Sequence, residues 1–257
     1  MTPISKPTRK PLSLRLDPGG PRLTTAMVMA AGLGKRMRPL TATRPKPLIE
    51  VAGKTLLDHA LDHLRAAGVE RAVVNVHYLP DALEAHLRKQ TGLDIAISDE
   101  RGQLMETGGG LVKALPLIPE DPFLCVNADN LWVDGPSDAI RLLAARWNPE
   151  EMDALLLLVP LARANFHAGQ GDFHMNAGGR ITARRHKGKV APFVYTGLQI
   201  VSHRLLRDPP AGPFSTMVFW QRALEEGRLY GMVHQGLWFE INEPGSIRKA
   251  EAMLADG

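Results

Sequence analysis

From residue 24 to residue 130 the chain alternates between two hydrophobic periods, and few folds accept such a pattern. "TTAMVMA" is a short apolar run of strand length; "LLDHALDHLRAAG" carries leucine and alanine at helical spacing and ends in glycine; "ERAVVNVH" returns to a strand. Next come a helix in "YLPDALEAHLRKQTG", a strand in "LDIAISDE", a helix in "GGGLVKALPLI" and a strand in "PFLCVNADN". Such βαβα order predicts an α/β fold in three layers, α/β/α, with a mostly parallel central sheet. Beyond residue 150 the order loosens. "DALLLLVPL", "GRITARR" and "FVYTGLQIV" read as strands, and "STMVFWQRALEEG" and "EPGSIRKAEAMLA" as helices. No repeat or linker breaks residues 25–257, which are read as a single domain.

A chain of 257 residues, 44% hydrophobic and 23% charged, has material for one substantial core. No stretch approaches the roughly 20 apolar residues of a membrane span, and residues 1–22 lack the apolar centre of a secretory signal. A cytoplasmic protein with no membrane partner is expected. The net charge of +4 is concentrated at the start, where Lys6, Arg9, Lys10, Arg15 and Arg22 face Asp17 alone. The remainder is formally neutral, so no nucleic-acid partner is expected, and residues 1–24 read as a basic, disordered tail. The single cysteine, Cys125, has no internal partner and reads as a small buried hydrophobe. His59 and His63 have zinc-compatible spacing but no third ligand attached, and are expected to face solvent. Met27 and Met29 read as one strand face, and Phe219 and Trp220 as helix packing.

In parallel sheets ligands bind beyond the carboxyl ends of strands. At such an end, "MVMAAGLGKRMRPLTATRPKPL" sets Gly32 and Gly34 beside Lys35, Arg36, Arg38, Arg44 and Lys46. Glycines let backbone N–H groups approach an anion, and the cations supply charge, so a polyphosphate is the natural partner. Two familiar phosphate loops fail here: Arg36 stands where a P-loop needs Ser or Thr, and Met37 where the dinucleotide fingerprint needs Gly or Ala.

"AAGLGKRMRPLT" followed by "PKPL" resembles the signature of the sugar-1-phosphate nucleotidyltransferases, and the likeness extends over about residues 26 to 250. The resemblance implies a Rossmann-like α/β/α nucleotidyltransferase fold with a mixed, mostly parallel sheet. It implies that Ala31, Gly32, Gly34, Lys35 and Arg36 wrap the triphosphate of an NTP. Arg36 then stabilises departing pyrophosphate, and Lys46 holds phosphate oxygens near the reaction centre. In "CVNADN", Asp129 matches the family's metal-binding aspartate, although an Asp-Asn pair also suits a turn. The second metal carboxylate falls in "WFEINEP", where Glu240 replaces the family's aspartate, Asn242 its glycine and Glu243 its threonine. The implied cofactor is Mg²⁺ on Asp129 and Glu240, the implied catalytic group Arg36, Lys46 and Asp129. Acid–base chemistry is dispensable, because the attacking phosphate is already ionised; positioning and charge neutralisation dominate.

"QLMETGGG" resembles the family's base-binding loop, with Glu106 and Gly108 implied at the nucleotide. A carboxylate at Glu106 can accept an imino N–H from uracil, thymine or guanine; it can equally cap the following helix. "GQGDF" and "VYTGLQI" are similar to segments of N-acetylmuramate 1-phosphate uridylyltransferases, which implies Asp172, Tyr195, Thr196 and Gly197 at the sugar. The expected reaction is transfer from an NTP, UTP foremost, to a sugar 1-phosphate in cell-wall sugar recycling, by a monomer. Guanylyl transfer to mannose 1-phosphate is the alternative, and the altered "WFEINEP" leaves open a nucleotide-binding module without turnover.

Overall fold

The computed structural model describes residues 20–255. Strand β1 (Thr25–Met29) leads through the glycine-rich loop to a two-residue hairpin, β2 (Glu50–Val51) with β3 (Lys54–Thr55). Helix α1 (Leu56–Ala67), β4 (Arg71–Val76), α2 (Pro80–Leu87), β5 (Asp94–Asp99), α3 (Glu106–Ala114) and β6 (Phe123–Asn127) follow in the expected alternation. Then come β7 (Leu131–Val133), α4 (Ala139–Arg146), β8 (Ala154–Pro160), β9 (Ala164–Asn165), β10 (Phe173–Met175), β11 (Ile181–Arg184) and β12 (Phe193–Val201). Helix α5 (Met217–Glu225), β13 (Leu229–Val233), β14 (Leu237–Phe239) and α6 (Pro244–Ala255) close the chain.

Helix α1 shows why these residues take this form. Thr55 Oγ1 accepts from the Asp58 N–H at 3.0 Å, and Leu56, Leu57, Ala60, Leu61 and Leu64 make one buried stripe. Gly68, at φ 89°, ends the helix in a left-handed cap. Helix α3 starts two residues before the expected "GGG" and stops at Ala114, because Pro116 in the next turn has no N–H to continue it. Helix α4 was not foreseen, yet "DAIRLLAAR" carries its signal: Asp138 accepts from the Arg141 N–H at 3.0 Å.

The nine-stranded sheet is mixed but mostly of one sense: β1, β4, β5, β6, β8, β10 and β13 run one way, β11 and β12 the other. Side chains alternate across it. Ala26, Val28, Val74 and Val126 join Leu61 of α1, Leu83 of α2 and Leu143 of α4 on one face. Met27, Val73 and Cys125 join Leu111 of α3 and Phe219 of α5 on the other. Cys125 is buried as expected, and burial pushes its thiol up to about 12. A small sheet, β7-β14-β9, stands apart and packs with α6 through Leu131, Phe239 and Ala250.

The first nineteen residues of the expected tail lie outside the described residues. Residues 20–24 lie against the domain: Leu23 is buried, and the Thr24 N–H and hydroxyl donate to Glu120. His59 and His63 are half-buried rather than fully solvent-facing. His59 Nε2 lies 2.8 Å from the Val51 carbonyl, and His63 stacks on Trp132 with ring centroids 3.9 Å apart. The spacing that suggests a metal serves instead to tie α1 to its neighbours.

Candidate active site

The carboxyl ends of β1, β4 and β5 are tied by one buried chain of hydrogen bonds. The Ala30 N–H donates to Asn75 Oδ1 at 2.6 Å, Asn75 Nδ2 donates to Glu100 Oε1 at 2.7 Å, and Glu100 Oε2 accepts from the Met105 N–H at 3.0 Å. This brace holds the loop after β1 against the segment that opens α3. Inside the loop Gly34 has φ 59°, and a Cβ there would come within 3.0 Å of Thr41 Cγ2 and 3.1 Å of Lys46 Cβ. Thr41 Oγ1 donates back to the Gly34 carbonyl at 2.8 Å. Gly32 faces open space, with no atom within 4 Å of where its Cβ would sit. The turn therefore needs Gly34 for its shape, and Gly32 leaves room for a ligand against the backbone.

Above this loop lies a cleft with two lobes. The larger, ≈ 510 Å³, is lined by Ala31, Gly32, Gly34 and Lys35 on one side and by Glu106 and Thr107 on the other. The smaller, ≈ 260 Å³, is lined by Asp172, Tyr195, Thr196, Gly197, His167 and Glu240. Arg36, Lys46, Asn127, Asp129 and Asn242 line both, and so form the throat. Arg36 is exposed and makes no hydrogen bond or ion pair among the described residues. Lys46, by contrast, is buried, and its Nζ donates to Asp129 Oδ2 at 2.6 Å and to Asn242 Oδ1 at 2.8 Å.

Those contacts extend into a chain across the throat. Asn242 Nδ2 donates to Glu240 Oε1, and Glu240 Oε2 lies 2.9 Å from His167 Nδ1. The hydrogen bond to Glu240, outweighing the burial that opposes it, raises the His167 imidazole above its usual pKa. Asp129 keeps Oδ1 free of protein partners among the described residues, whereas both Glu240 oxygens are engaged. Asp129 and Glu240 line the same lobe and offer hard oxygen donors. No group of three or more His, Cys, Asp or Glu converges among the described residues. That donor set suits Mg²⁺, which binds through one or two carboxylates and takes its other ligands from phosphates and water.

Most of the residues singled out in the sequence meet in this cleft, with exceptions. Arg44 pairs with Glu50 at 3.6 Å, and neither it nor Arg38 lines the cleft, so fewer than the five cations reach the glycine loop. Gly108 does not line the cleft either. Its N–H donates to the Phe214 carbonyl at 2.8 Å, and a Cβ would come within 2.5 Å of the Phe214 ring, so it serves close packing. Glu106 does line the cleft; it has φ 58° and α3 has no side-chain cap, which sets aside the capping role. Thr196 turns its hydroxyl to the Leu157 carbonyl at 2.9 Å. Tyr195, its phenol pushed well above the usual pKa by burial, packs edge-on to Trp220 with centroids 4.8 Å apart. Gly197 has φ 96° in a β-bulge of β12, where a Cβ would lie 2.9 Å from Asn127 Nδ2.

Asn75, Asn127, His167 and Asn242 were missed. Asn75 stood inside "VNVHYL", a segment also near the family's pattern, Asn127 inside "CVNADN" and Asn242 inside "WFEINEP", so those segments held the signal; His167 carried none beyond its residue type.

The comparisons with known proteins agree with this geometry. Residues 25–165 match the family described as nucleotidyl transferase. The N-acetylmuramate alpha-1-phosphate uridylyltransferase of Caulobacter vibrioides is 46% identical over 235 residues, covering 90% of this chain and 97% of that protein. The protein of the same name from Neisseria meningitidis serogroup B is 33% identical over 231 residues, covering 89% and 97%. The inositol-1-phosphate CTP transferase of T. maritima shares the fold, with TM-score 0.77 at 18% identity over 92% of this chain and 97% of that one. Glycine loop, two-lobed cleft and sequence kinship converge: the chain belongs to the nucleotidyl transferase family.

Proposed function

We propose that this chain transfers a uridylyl group from UTP to N-acetylmuramate 1-phosphate, releasing pyrophosphate, as a step in recycling cell-wall sugar. The observation that carries the proposal is the throat, where Lys46 and Asp129 meet at 2.6 Å between the two lobes. A triphosphate in the larger lobe and a sugar phosphate in the smaller would bring their reacting atoms together at that point. The likeness to the Caulobacter vibrioides and Neisseria meningitidis uridylyltransferases supports the choice of substrates.

An oxygen of the sugar phosphate attacks the α-phosphorus, and the bond to the β-phosphate oxygen breaks. Both reactants are anions, so fixed cations in place before reaction lower the barrier. Lys46, held between Asp129 and Asn242 and lining both lobes, would meet phosphate oxygens of both substrates with its ammonium. Arg36, without a hydrogen bond or ion pair among the described residues, is available to the departing pyrophosphate. Glu106 offers a carboxylate oxygen to the imino N–H of uracil. Asp129, through Oδ1, and Glu240, on exchanging one of its present partners, would hold Mg²⁺, which would supply further charge neutralisation to the phosphates.

Pyrophosphate release is the decisive readout, with UTP, GTP, dTTP and CTP crossed against N-acetylmuramate, glucose, N-acetylglucosamine and mannose 1-phosphates and phosphocholine. UTP with N-acetylmuramate 1-phosphate is expected to be the most productive pair. A preference for GTP with mannose 1-phosphate would overturn the proposed specificity, and nucleotide binding without release from any pair would overturn catalysis.

A further inference from the structure

A third cavity, ≈ 220 Å³, adjoins the smaller lobe and shares Asp172 and Tyr195 with it. Its other lining residues are Gly171, the cations Arg184 and Arg185, and the apolar Phe173, Met217 and Trp220. Arg185 is anchored at both ends of its own residue: its backbone N–H donates to the Asp172 carbonyl at 2.7 Å and its Nε to the Gly171 carbonyl at 3.0 Å. Its two terminal amino groups make no hydrogen bond or ion pair among the described residues. Arg184 reaches only Gln221 Oε1, at 3.5 Å. Arg204 and Arg228, by contrast, are spent on Asp153 at 2.5 and 2.6 Å. A guanidinium fixed through Nε, with its outer fork open to a cavity beside a substrate lobe, is arranged to take a carboxylate in a bidentate contact.

The sugar of the proposed reaction carries such a group. N-acetylmuramate is N-acetylglucosamine with a lactyl ether on its 3-hydroxyl, and that ether ends in a carboxylate beside a methyl group. We propose that the cavity of Arg184, Arg185, Met217 and Trp220 is the subsite for the lactyl group, and that Arg185 is the residue that selects it. The carboxylate meets the open fork of Arg185, with Arg184 adding charge. The lactyl methyl lies against Met217 and Trp220, whose indole N–H is already committed to Gln199 Oε1 at 3.0 Å, leaving its apolar face to the cavity wall. Asp172 gives Oδ2 to the Tyr195 N–H at 2.9 Å and keeps Oδ1 for a sugar hydroxyl. Without Arg185, that same aspartate would repel the substrate's carboxylate. The subsite distinguishes N-acetylmuramate 1-phosphate from N-acetylglucosamine 1-phosphate, which has no lactyl group.

This inference rests on the uridylyltransferase reading, and its test separates the two. Initial rates with UTP are measured for N-acetylmuramate 1-phosphate, N-acetylglucosamine 1-phosphate, and an N-acetylmuramate 1-phosphate whose lactyl carboxylate is converted to the amide. In the wild type the free acid is expected to exceed both others in kcat/KM. In Arg185→Gln, kcat/KM for the acid should fall roughly 10- to 100-fold, the range for losing a charge-assisted hydrogen bond, with the change in KM rather than kcat. The rate with N-acetylglucosamine 1-phosphate should move by less than about threefold, and acid and amide should converge. Arg185→Lys should restore part of the acid's advantage, which a purely structural role would not predict. An equal fall with all three sugars, or an unchanged preference for the acid, would overturn the subsite while leaving the reaction standing. A wild type indifferent between acid, amide and N-acetylglucosamine 1-phosphate would overturn the sugar assignment and the subsite with it.

Discussion

Arg36, Lys46 and Asp129 share one throat yet differ in how the protein holds them, and the difference sets what each substitution should do. Asp129 accepts from Lys46 and has its second oxygen free of partners among the described residues, so Asp129→Asn removes a negative charge from a site that must gather a cation and two anions. Turnover is expected to drop at least about 100-fold, the scale for removing one preorganised electrostatic partner, with nucleotide binding retained in calorimetry. Wild-type-like rates would remove Asp129 from the metal assignment. Arg36 is exposed and makes no hydrogen bond or ion pair among the described residues, so Arg36→Ala should leave the melting temperature near that of the wild type while lowering kcat by about 100-fold or more. A change confined to the KM of the sugar phosphate would contradict a role at the leaving group. Glu240 is the residue where motif and structure part company. Its longer side chain is drawn to Asn242 and to His167, the latter a contact from outside "WFEINEP" that the segment does not announce.

Elements place these side chains through their ends rather than their middles. The brace from Ala30 through Asn75 and Glu100 to Met105 links the termini of β1, β4 and β5 with the start of α3, and so sets the gap between the glycine loop and Glu106. Asn75→Ala leaves the Ala30 N–H without its acceptor and the buried Glu100 with one fewer donor. The expected cost is about 1–3 kcal/mol of stability in denaturant unfolding, together with a higher KM for the nucleotide, since both walls of its lobe lose their tie. An unchanged nucleotide KM in a variant that still folds would show that the brace serves stability alone. Elements that were readable in advance, such as β1, α1, β4 and β6, bury one face or both and carry a regular period. Of the strands missed in advance, β7, β10 and β14 have three residues each and β2, β3 and β9 two, too few for a period to show, while β13 has five but carries Gly231 at its centre, which interrupts the apolar run.

At the scale of the whole molecule, the central strands lie between two helical layers, and Cys125 sits in that sandwich on β6. With its thiol pushed up to about 12 by burial, it should resist alkylation at pH 8 in the native protein and react only as the fold opens. Its labelling rate across a denaturant series is expected to track the global unfolding transition seen by circular dichroism; rapid labelling under native conditions would contradict the packing of β6. Among the described residues, no helix is long and apolar enough to cross a membrane. The sequence by itself determined the alternation of strands and helices, the glycine turn with Arg36 and Lys46, and Asp129 past β6. Each depends on local period, turn chemistry or a motif contiguous in the chain. Only the tertiary structure decided that Arg44 turns away to Glu50, that Gly108 packs under Phe214, that Asn242 joins the throat and His167 the smaller lobe, and that Arg185 keeps an open fork beside Asp172. Those outcomes turn on which side chains distant in sequence compete for the same charge or the same space, and that competition exists only once the chain has folded.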